Sequence, residues 1–172
     1  MHDKNACFIG IDVGTQGERV VLVDARGNLL GSKEESFPLS DHSREEQSPT
    51  DWWDACLRSL QQLLADAARH TDLRHIRAIS VTSTSGTIIP IDQYYQPLHN
   101  AIMYSDGRQE EEGRICKEAA ITNHPDGYTA FNTSSGLPKM LWFIRHFPEK
   151  AARLYKFIHA ADFITGRLSG RY

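Results

Sequence analysis

The sequence predicts an α/β domain built on a mixed β-sheet with flanking helices. Three early runs rich in β-branched and apolar residues are separated by short turns that contain glycine; they span residues 7–13, 18–24 and 29–36. Turns this short between such runs give antiparallel hairpins, so we expect a three-stranded meander. A long amphipathic segment and a further apolar run, residues 76–82, follow, and we expect this fourth strand to join the sheet in parallel.

The amphipathic segment 49–70 predicts a long helix. Pro49 suits the first helical position, where a missing backbone N–H costs nothing. Its apolar side chains recur every three or four residues and form one face: Trp52, Cys56, Leu60, Leu63, Leu64 and Ala67. We expect this helix to pack on one face of the sheet, with one ring of the Trp52–Trp53 pair in the core and the other half exposed.

The second half of the chain predicts shorter elements joined by loops. Thr87–Asp92 is expected to be extended, and residues 123–138, which contain two prolines and two glycines, to form an irregular loop. Helices are predicted over residues 106–121, 139–147, 149–156 and 160–168.

Composition and charge exclude several classes of protein. Lys and Arg total 19 and Asp and Glu total 22, so a net charge of −3 offers no basic excess to bind nucleic acid. No apolar run approaches the roughly 18–20 residues that cross a membrane. The 3 cysteines are widely spaced and form neither a disulfide framework nor a metal motif. We therefore expect a cytoplasmic globular protein without a nucleic-acid or membrane partner.

The first motif with chemical potential is the segment 10–19, GIDVGTQGER. Asp12 ends an apolar strand, where a carboxylate is costly unless it meets donors or a metal. The glycine-containing turn 14–17 lets backbone N–H groups converge on an anion, Thr15 adds a hydroxyl and Arg19 a cation. These groups suit the phosphates of a nucleotide with Mg²⁺ near Asp12, although a plain hairpin with a polar turn has the same pattern.

Two further motifs suit a polyhydroxylated ligand. The run Thr82–Thr87 holds five hydroxyls and a glycine at the end of a strand, where ligands of α/β sheets bind. Asp106 and Arg108, two residues apart, are able to bracket a substrate hydroxyl. The alternatives remain open: the first run is equally typical of a polar turn, and the second pair of a solvated helix start.

Taken together and in order, these segments resemble the N-terminal part of the FGGY carbohydrate kinases, the group that contains xylulokinase, gluconokinase and glycerol kinase. The resemblance covers nearly the whole chain at family-like spacing. Its segments are IGIDVGTQGERVVLVDARGNLLG (9–31), EEQSPTDWWDA (45–55), IRAISVTSTSGTIIPID (76–92), HNAIMYSDGRQEEE (99–112), GLPKMLWFIRHFPE (136–149) and ADFITGRLSG (161–170).

The resemblance implies an actin-like ATPase fold, in which this chain is a ribonuclease H-like N-terminal domain spanning residues 1–172. It implies ATP and Mg²⁺ as cofactors, with Asp12 at the Mg²⁺-associated position. The positions that face the ATP phosphates are then Gly14, Thr15, Gln16, Gly17 and Arg19. The positions that line the sugar site are Thr84, Ser85, Gly86, Asp106 and Arg108.

The chain departs from the family in its sugar segment. Thr84, Ser85 and Gly86 stand where xylulokinase-like members carry Gln-Met-His and glycerol kinase carries Gln-Arg-Glu. Tyr104 replaces the tryptophan that usually precedes the Asp-x-Arg pair. Because small residues leave room, we expect a substrate longer than glycerol.

The function predicted is therefore that of an ATP-dependent sugar kinase acting on a ketose, a polyol or a sugar acid. In the family the general base, the second phosphate loop and the adenosine motif follow the position of Tyr172, so we expect residues 1–172 to lack the C-terminal ATP-binding domain and to be inactive alone. An actin-like nucleotide-gated scaffold and a non-catalytic sugar-binding module remain alternatives, and the chain is a candidate homodimer.

Overall fold

The computed structural model of the protein describes residues 5–172, so residues 1–4 of the predicted domain lie outside the described residues. The described chain divides into two compact units. The sheet unit comprises residues 5–38, 50–84 and 164–171, and the second unit comprises residues 39–49, 85–163 and 172. Along the chain the elements are β1 (Cys7–Val13), β2 (Gly17–Asp24), β3 (Leu29–Ser36), β4 (Glu46–Gln47), α1 (Pro49–Ala67), β5 (Ile76–Ser83), β6 (Ile89–Ile91), β7 (Ala101–Ile102), α2 (Glu110–Asn123), α3 (Gly136–His146), α4 (Pro148–Ala151), β8 (Lys156–Ile158) and α5 (Ala160–Ser169).

The sheet unit contains the predicted mixed sheet, with strand order β3-β2-β1-β5. β1, β2 and β3 form the antiparallel meander, and β5 pairs with β1 in parallel. In that parallel register Asp12 lies beside Thr82 and Val13 beside Ser83. The meander and the parallel fourth strand are therefore confirmed.

Helix α1 covers one face of this sheet. Val20 and Leu22 of β2 and Trp52 and Leu63 of α1 are all buried, whereas Trp53 is partly exposed. Leu63 packs so closely on β3 that its Cδ1 would lie 3.0 Å from a Cβ added to Gly31. The helix ends at Ala67 rather than residue 70, and the chain continues as a hydrogen-bonded turn in which Thr71 N–H donates to the Ala67 carbonyl.

The second unit has its own hydrophobic core. The buried side chains of this core come from the segment 88–102 and from α3: Ile88, Leu98, Ile102, Trp142 and Phe143. Two short antiparallel pairs, β4 with β7 and β6 with β8, frame it. Within residues 5–172, no helix combines the length and the hydropathy that a membrane span requires.

Three boundaries in the second unit differ from the prediction. α2 begins at Glu110 rather than residue 106, because the Asp106 carboxylate accepts the Arg108 N–H and holds a local turn. α3 begins at Gly136, since the first turn of a helix tolerates Pro138. The helix predicted over 149–156 is only the short α4, because the chain then turns to pair β8 with β6.

The core of the second unit predicts the effect of truncating Phe143. This ring is fully buried, whereas its neighbour Ile144 is 45% exposed on the same helix. Replacing Phe143 with alanine should lower the free energy of unfolding by about 3–5 kcal/mol, while Ile144→Ala should change it by about 0.5 kcal/mol. Urea titrations of the purified chain and both variants measure the difference, and equal losses would contradict this core.

Candidate active site

The turn between β1 and β2 is built by close approach of three main-chain segments. Gly14 N–H donates to the Gly17 carbonyl over 2.9 Å, and Phe37 N–H donates to the Gln16 carbonyl over 2.9 Å. A Cβ on Gly17 would lie 2.5 Å from the carbonyl oxygen of Glu35 on β3. Glycine is needed at residue 17 because β3 leaves no room for a side chain, and neither Gly14 nor Gly17 has a positive φ.

Two cross-strand rows run through the end of the sheet next to this turn. Thr82, Asp12, Arg19 and Glu34 are aligned across β5, β1, β2 and β3, and all four residues are exposed. The next row places Val13, Glu18 and Glu35 side by side on the face that α1 covers. The exposed row therefore contains the candidate site residues Asp12 and Arg19, and the covered row lies on the opposite face of the sheet, next to α1.

A cavity of about 490 Å³ lies along the turn and the exposed row. Its lining comprises Asp12, Gly14, Gln16, Gly17, Glu18, Arg19, Glu34, Glu35 and Ser36. This lining contains Asp12 and four of the five residues predicted to face phosphates; the fifth, Thr15, lies outside it. The structure thus brings together most of the predicted phosphate loop.

The charges in this cavity differ from the prediction in one respect. The Arg19 guanidinium is paired with Glu34 over 2.6 Å, so its charge is already partly neutralised. No group of three or more His, Cys, Asp or Glu side chains able to hold a metal occurs in residues 5–172. Asp12 consequently offers a single exposed carboxylate, which is a normal protein contribution to Mg²⁺ bound together with nucleotide phosphates.

Glu18 is a buried carboxylate directly behind the turn. Its side chain is on the covered row, the residue is 3% exposed, and neither oxygen forms a hydrogen bond with the described residues. Burial raises the pKa of Glu18 to about 7; the Ser59 hydroxyl of α1 partly offsets the increase, and Glu35 beside it adds to it. The sequence contains the signal for this site, because Glu18 alternates with the core residues Val20 and Leu22.

Thr84, which was predicted to line a sugar site, lies at the same edge of the sheet. Its N–H donates to the Val13 carbonyl over 3.3 Å, which extends the β1–β5 pairing beyond the end of β5. The parallel register therefore carries Thr84 to the end of β1, where Asp12 and the turn begin.

Ser85 and Gly86 belong to the second unit, where Gly86 has a specific structural role. Its φ of +77° is in the left-handed region that favours glycine. A Cβ on Gly86 would lie 2.9 Å from the Ser134 carbonyl oxygen and 3.4 Å from the Tyr104 Cβ. The space that the small side chain was expected to leave open is thus occupied by the main chain at Ser134.

Asp106 and Arg108 form an ion-paired cluster rather than two free groups. The Asp106 carboxylate is fully buried and accepts hydrogen bonds from Arg108 and Gln109. Burial pushes the pKa of Asp106 upward, but these hydrogen bonds outweigh it and the pKa lies below its usual value. Arg108 also pairs with Glu46 over 2.9 Å and lies 4.5 Å above the Trp142 ring, which leaves its Nη1 without a hydrogen bond to the described residues.

Sequence reasoning assigned no role to Glu46 or Lys139. Glu46 lies 62 residues before Arg108, and nothing local to either residue indicates their ion pair. Lys139 is fully buried, and its ammonium donates to the Thr133 carbonyl. Its position three and four residues before the core rings Trp142 and Phe143 is the signal that predicts burial of a lysine.

The chain is similar in sequence to carbohydrate kinases. The model of the FGGY family of carbohydrate kinases, N-terminal domain, matches residues 7–172. The chain is 29% identical over 174 residues to the xylulose kinase of Escherichia coli (strain K12), covering 96% of this chain and 34% of that protein. It is 31% identical over 171 residues to the xylulose kinase of Staphylococcus xylosus, again covering 96% and 34%. The chain thus spans about a third of the length of the curated relatives it matches.

A solved structure confirms the fold class. A xyloylose kinase from Brucella ovis aligns with a TM-score of 0.85 at 24% identity, over 96% of this chain and 35% of that one. The mixed sheet with its meander, parallel strand and helices is therefore the N-terminal fold of an actin-like ATPase, as the sequence predicted.

Burial of Glu18 predicts a pH-dependent stability. Its pKa rises from 4.5 to about 7 on folding, so the folded state binds the proton more tightly. Stability should be lost as the pH rises from 4.5 to 7 and then level off, at a total cost of about 3 kcal/mol. Glu18→Gln should remove most of this slope and stabilise the protein at pH 8, as urea titrations between pH 5 and 8 would measure.

The matched control is Glu34→Gln, which removes an exposed carboxylate from the neighbouring strand. It should leave most of the slope in place, because Glu34 is the smallest contributor to the raised pKa of Glu18 and its exposed ion pair contributes only about 0.2–1 kcal/mol. A Glu18→Gln variant whose stability follows the wild-type pH profile would show that Glu18 does not bind the proton.

Proposed function

Since this chain belongs to the FGGY family of carbohydrate kinases, whose N-terminal domain it matches over residues 7–172, we propose that the protein containing it phosphorylates a sugar. The γ-phosphoryl group of ATP would pass to a hydroxyl of a ketose, a polyol or a sugar acid. The observation that carries the proposal is the parallel register of β1 and β5, in which Asp12, the glycine turn and Thr84 share one edge of the sheet.

The phosphate end of the proposed site consists of the turn and the exposed row. The Gln16 N–H donates no hydrogen bond to the described residues, so it is available to a phosphate oxygen. Asp12 would hold Mg²⁺ together with the nucleotide, and the metal would neutralise phosphate charge in the transition state. Arg19 would contact phosphate only by sharing or leaving Glu34, so we expect its contribution to be smaller than that of a free arginine.

Residues of each unit would serve the sugar end. In the sheet unit Thr84 would supply a hydroxyl. In the second unit Ser85 would supply another, and the Nη1 of Arg108 would supply two donors. Asp106 would act as the anchor of Arg108, because its oxygens already accept hydrogen bonds and the side chain is buried. We therefore assign acceptance of the alcohol proton to a carboxylate outside residues 5–172.

The residues at positions 85 and 86 and the names of the relatives support the proposed substrate class. Where glycerol kinase carries a charged pair this chain has Ser85 and Gly86, so we propose a substrate other than glycerol. The relatives include xylulose kinases and a gluconokinase, so xylulose and gluconate are the first substrates to test.

Asp12→Asn in the full-length protein tests the proposed chemistry. With sugar-dependent ADP release as the assay, kcat should fall by about 100-fold or more, because charge neutralisation at the phosphates would be lost. The sugar KM should stay within about twofold, since Asp12 would hold the metal and not the sugar. Asp54→Asn, an exposed change on α1, is the matched control and should retain wild-type kcat.

The panel comprises xylulose, ribulose, gluconate and glycerol. Absence of ADP release with every sugar tested would contradict the proposed function, and glycerol as the best substrate would contradict the substrate class. Unchanged kcat in Asp12→Asn would remove Asp12 from the mechanism.

A further inference from the structure

Residues 132–135 form a tight, internally hydrogen-bonded turn that precedes α3. Ser135 N–H donates to the Asn132 carbonyl over 3.0 Å, and Ser134 N–H donates to Asn132 Oδ1 over 2.9 Å. Asn132 N–H in turn donates to Ser135 Oγ over 3.2 Å. These bonds use the amides of Asn132, Ser134 and Ser135 and leave the carbonyls of Thr133 and Ser134 for partners elsewhere.

Lys139 holds the first of these carbonyls from inside the protein. Its residue is fully buried, and its Nζ donates to the Thr133 carbonyl oxygen. Lysine is almost never buried without a partner, because desolvation of an ammonium is costly. Burial lowers the pKa of Lys139 to about 8, and the nearby Asp106 carboxylate limits the decrease.

Two glycines on other segments also accommodate this turn. At Gly86 a Cβ would lie 2.9 Å from the Ser134 carbonyl oxygen. At Gly113 of α2 a Cβ would lie 3.4 Å from the Asn132 Cα. A buried lysine and two glycines, separated along the chain, therefore fix the position of one exposed turn.

The Ser134 carbonyl lies just outside helix α3. The helix begins at Gly136 with Ser135 as its N-cap, so its hydrogen bonds begin at the Ser135 carbonyl and do not include the Ser134 carbonyl. No described residue donates a hydrogen bond to this oxygen. It lies against Gly86, which belongs to a segment to which we assign sugar binding.

We propose that the Ser134 carbonyl accepts a hydrogen bond from a substrate hydroxyl and that Lys139 is the positioning residue that keeps this carbonyl in place. The inference rests on the proposed function and extends its sugar site to the 132–135 turn. A backbone carbonyl accepts and never donates, so this position selects a ligand that presents a hydroxyl and discriminates against the corresponding deoxy sugar.

Lys139→Met in the full-length protein is the primary test. Removing the ammonium frees the Thr133 carbonyl and lets the turn move, so the sugar KM should rise by about tenfold while kcat and the ATP KM stay within about threefold. Lys150→Met is the matched control, because this lysine lies 5.1 Å over the Phe147 ring in the same unit and does not touch the turn. It should leave all three constants at wild-type values.

Gly86→Ala and hydrogen exchange test the turn without reference to Lys139. The added Cβ displaces the Ser134 carbonyl, so the sugar KM should rise by a similar factor. In the wild-type protein, saturating sugar should slow amide exchange in the peptide that covers residues 132–135. Without sugar, the same peptide should exchange faster in Lys139→Met than in the wild type.

The outcomes separate this inference from the proposed function. A wild-type protein that releases no ADP with any sugar, and whose 132–135 peptide no sugar protects, would overturn both. An active wild type whose folded Lys139→Met and Gly86→Ala variants keep the wild-type sugar KM would overturn the inference alone. Equal rises in the sugar and ATP KM would also overturn it, because they would indicate a general loss of structure.

Discussion

Parallel pairing of β1 with β5 aligns the carboxyl ends of two strands that lie far apart in the sequence. The pairing places Asp12 beside Thr82, and the hydrogen bond from Thr84 N–H to the Val13 carbonyl continues it beyond the strand end. Antiparallel strands alone would keep the glycine turn distant from the Thr82–Thr87 run. Because parallel strands end at the same edge, the candidate phosphate and sugar residues of the sheet unit become neighbours.

Two buried ionisable groups, Glu18 and Lys139, lie next to turns of the proposed site, and the burial of each is costly for stability. Glu18 lies behind the glycine turn without a hydrogen-bond partner among the described residues, and Lys139 lies behind the 132–135 turn with a single carbonyl partner. A core selected only for stability would carry apolar residues at both positions. Departures of this kind from the local pattern are typical of functional sites. In both cases the buried charge lies next to a main-chain turn that the proposed chemistry uses.

The sequence predicted those elements whose structure depends on residues close together in the chain. The alternation of β2 and the three- and four-residue spacing of α1 predict the strand and the helix because each element buries one face. β8 was not predicted, since a three-residue strand exists only through its pairing with β6. In the site, the turn at 14–17 was predicted from its glycines. The Arg19–Glu34 and Arg108–Glu46 pairs and the close approach of Ser134 to Gly86 arise from distant segments, which no local pattern encodes.

In the proposed site, a metal held at Asp12 and a sugar held at Thr84 would occupy adjacent positions at this edge of the sheet. Relaxation of ¹³C-labelled sugar bound to the full-length protein measures this directly when Mn²⁺ replaces Mg²⁺ in the nucleotide complex. We predict that the carbons of the bound sugar relax faster in the Mn²⁺–ADP complex than in the Mg²⁺–ADP complex, because an unpaired-electron centre lies close to them. Equal relaxation rates at saturating sugar and nucleotide would contradict the account.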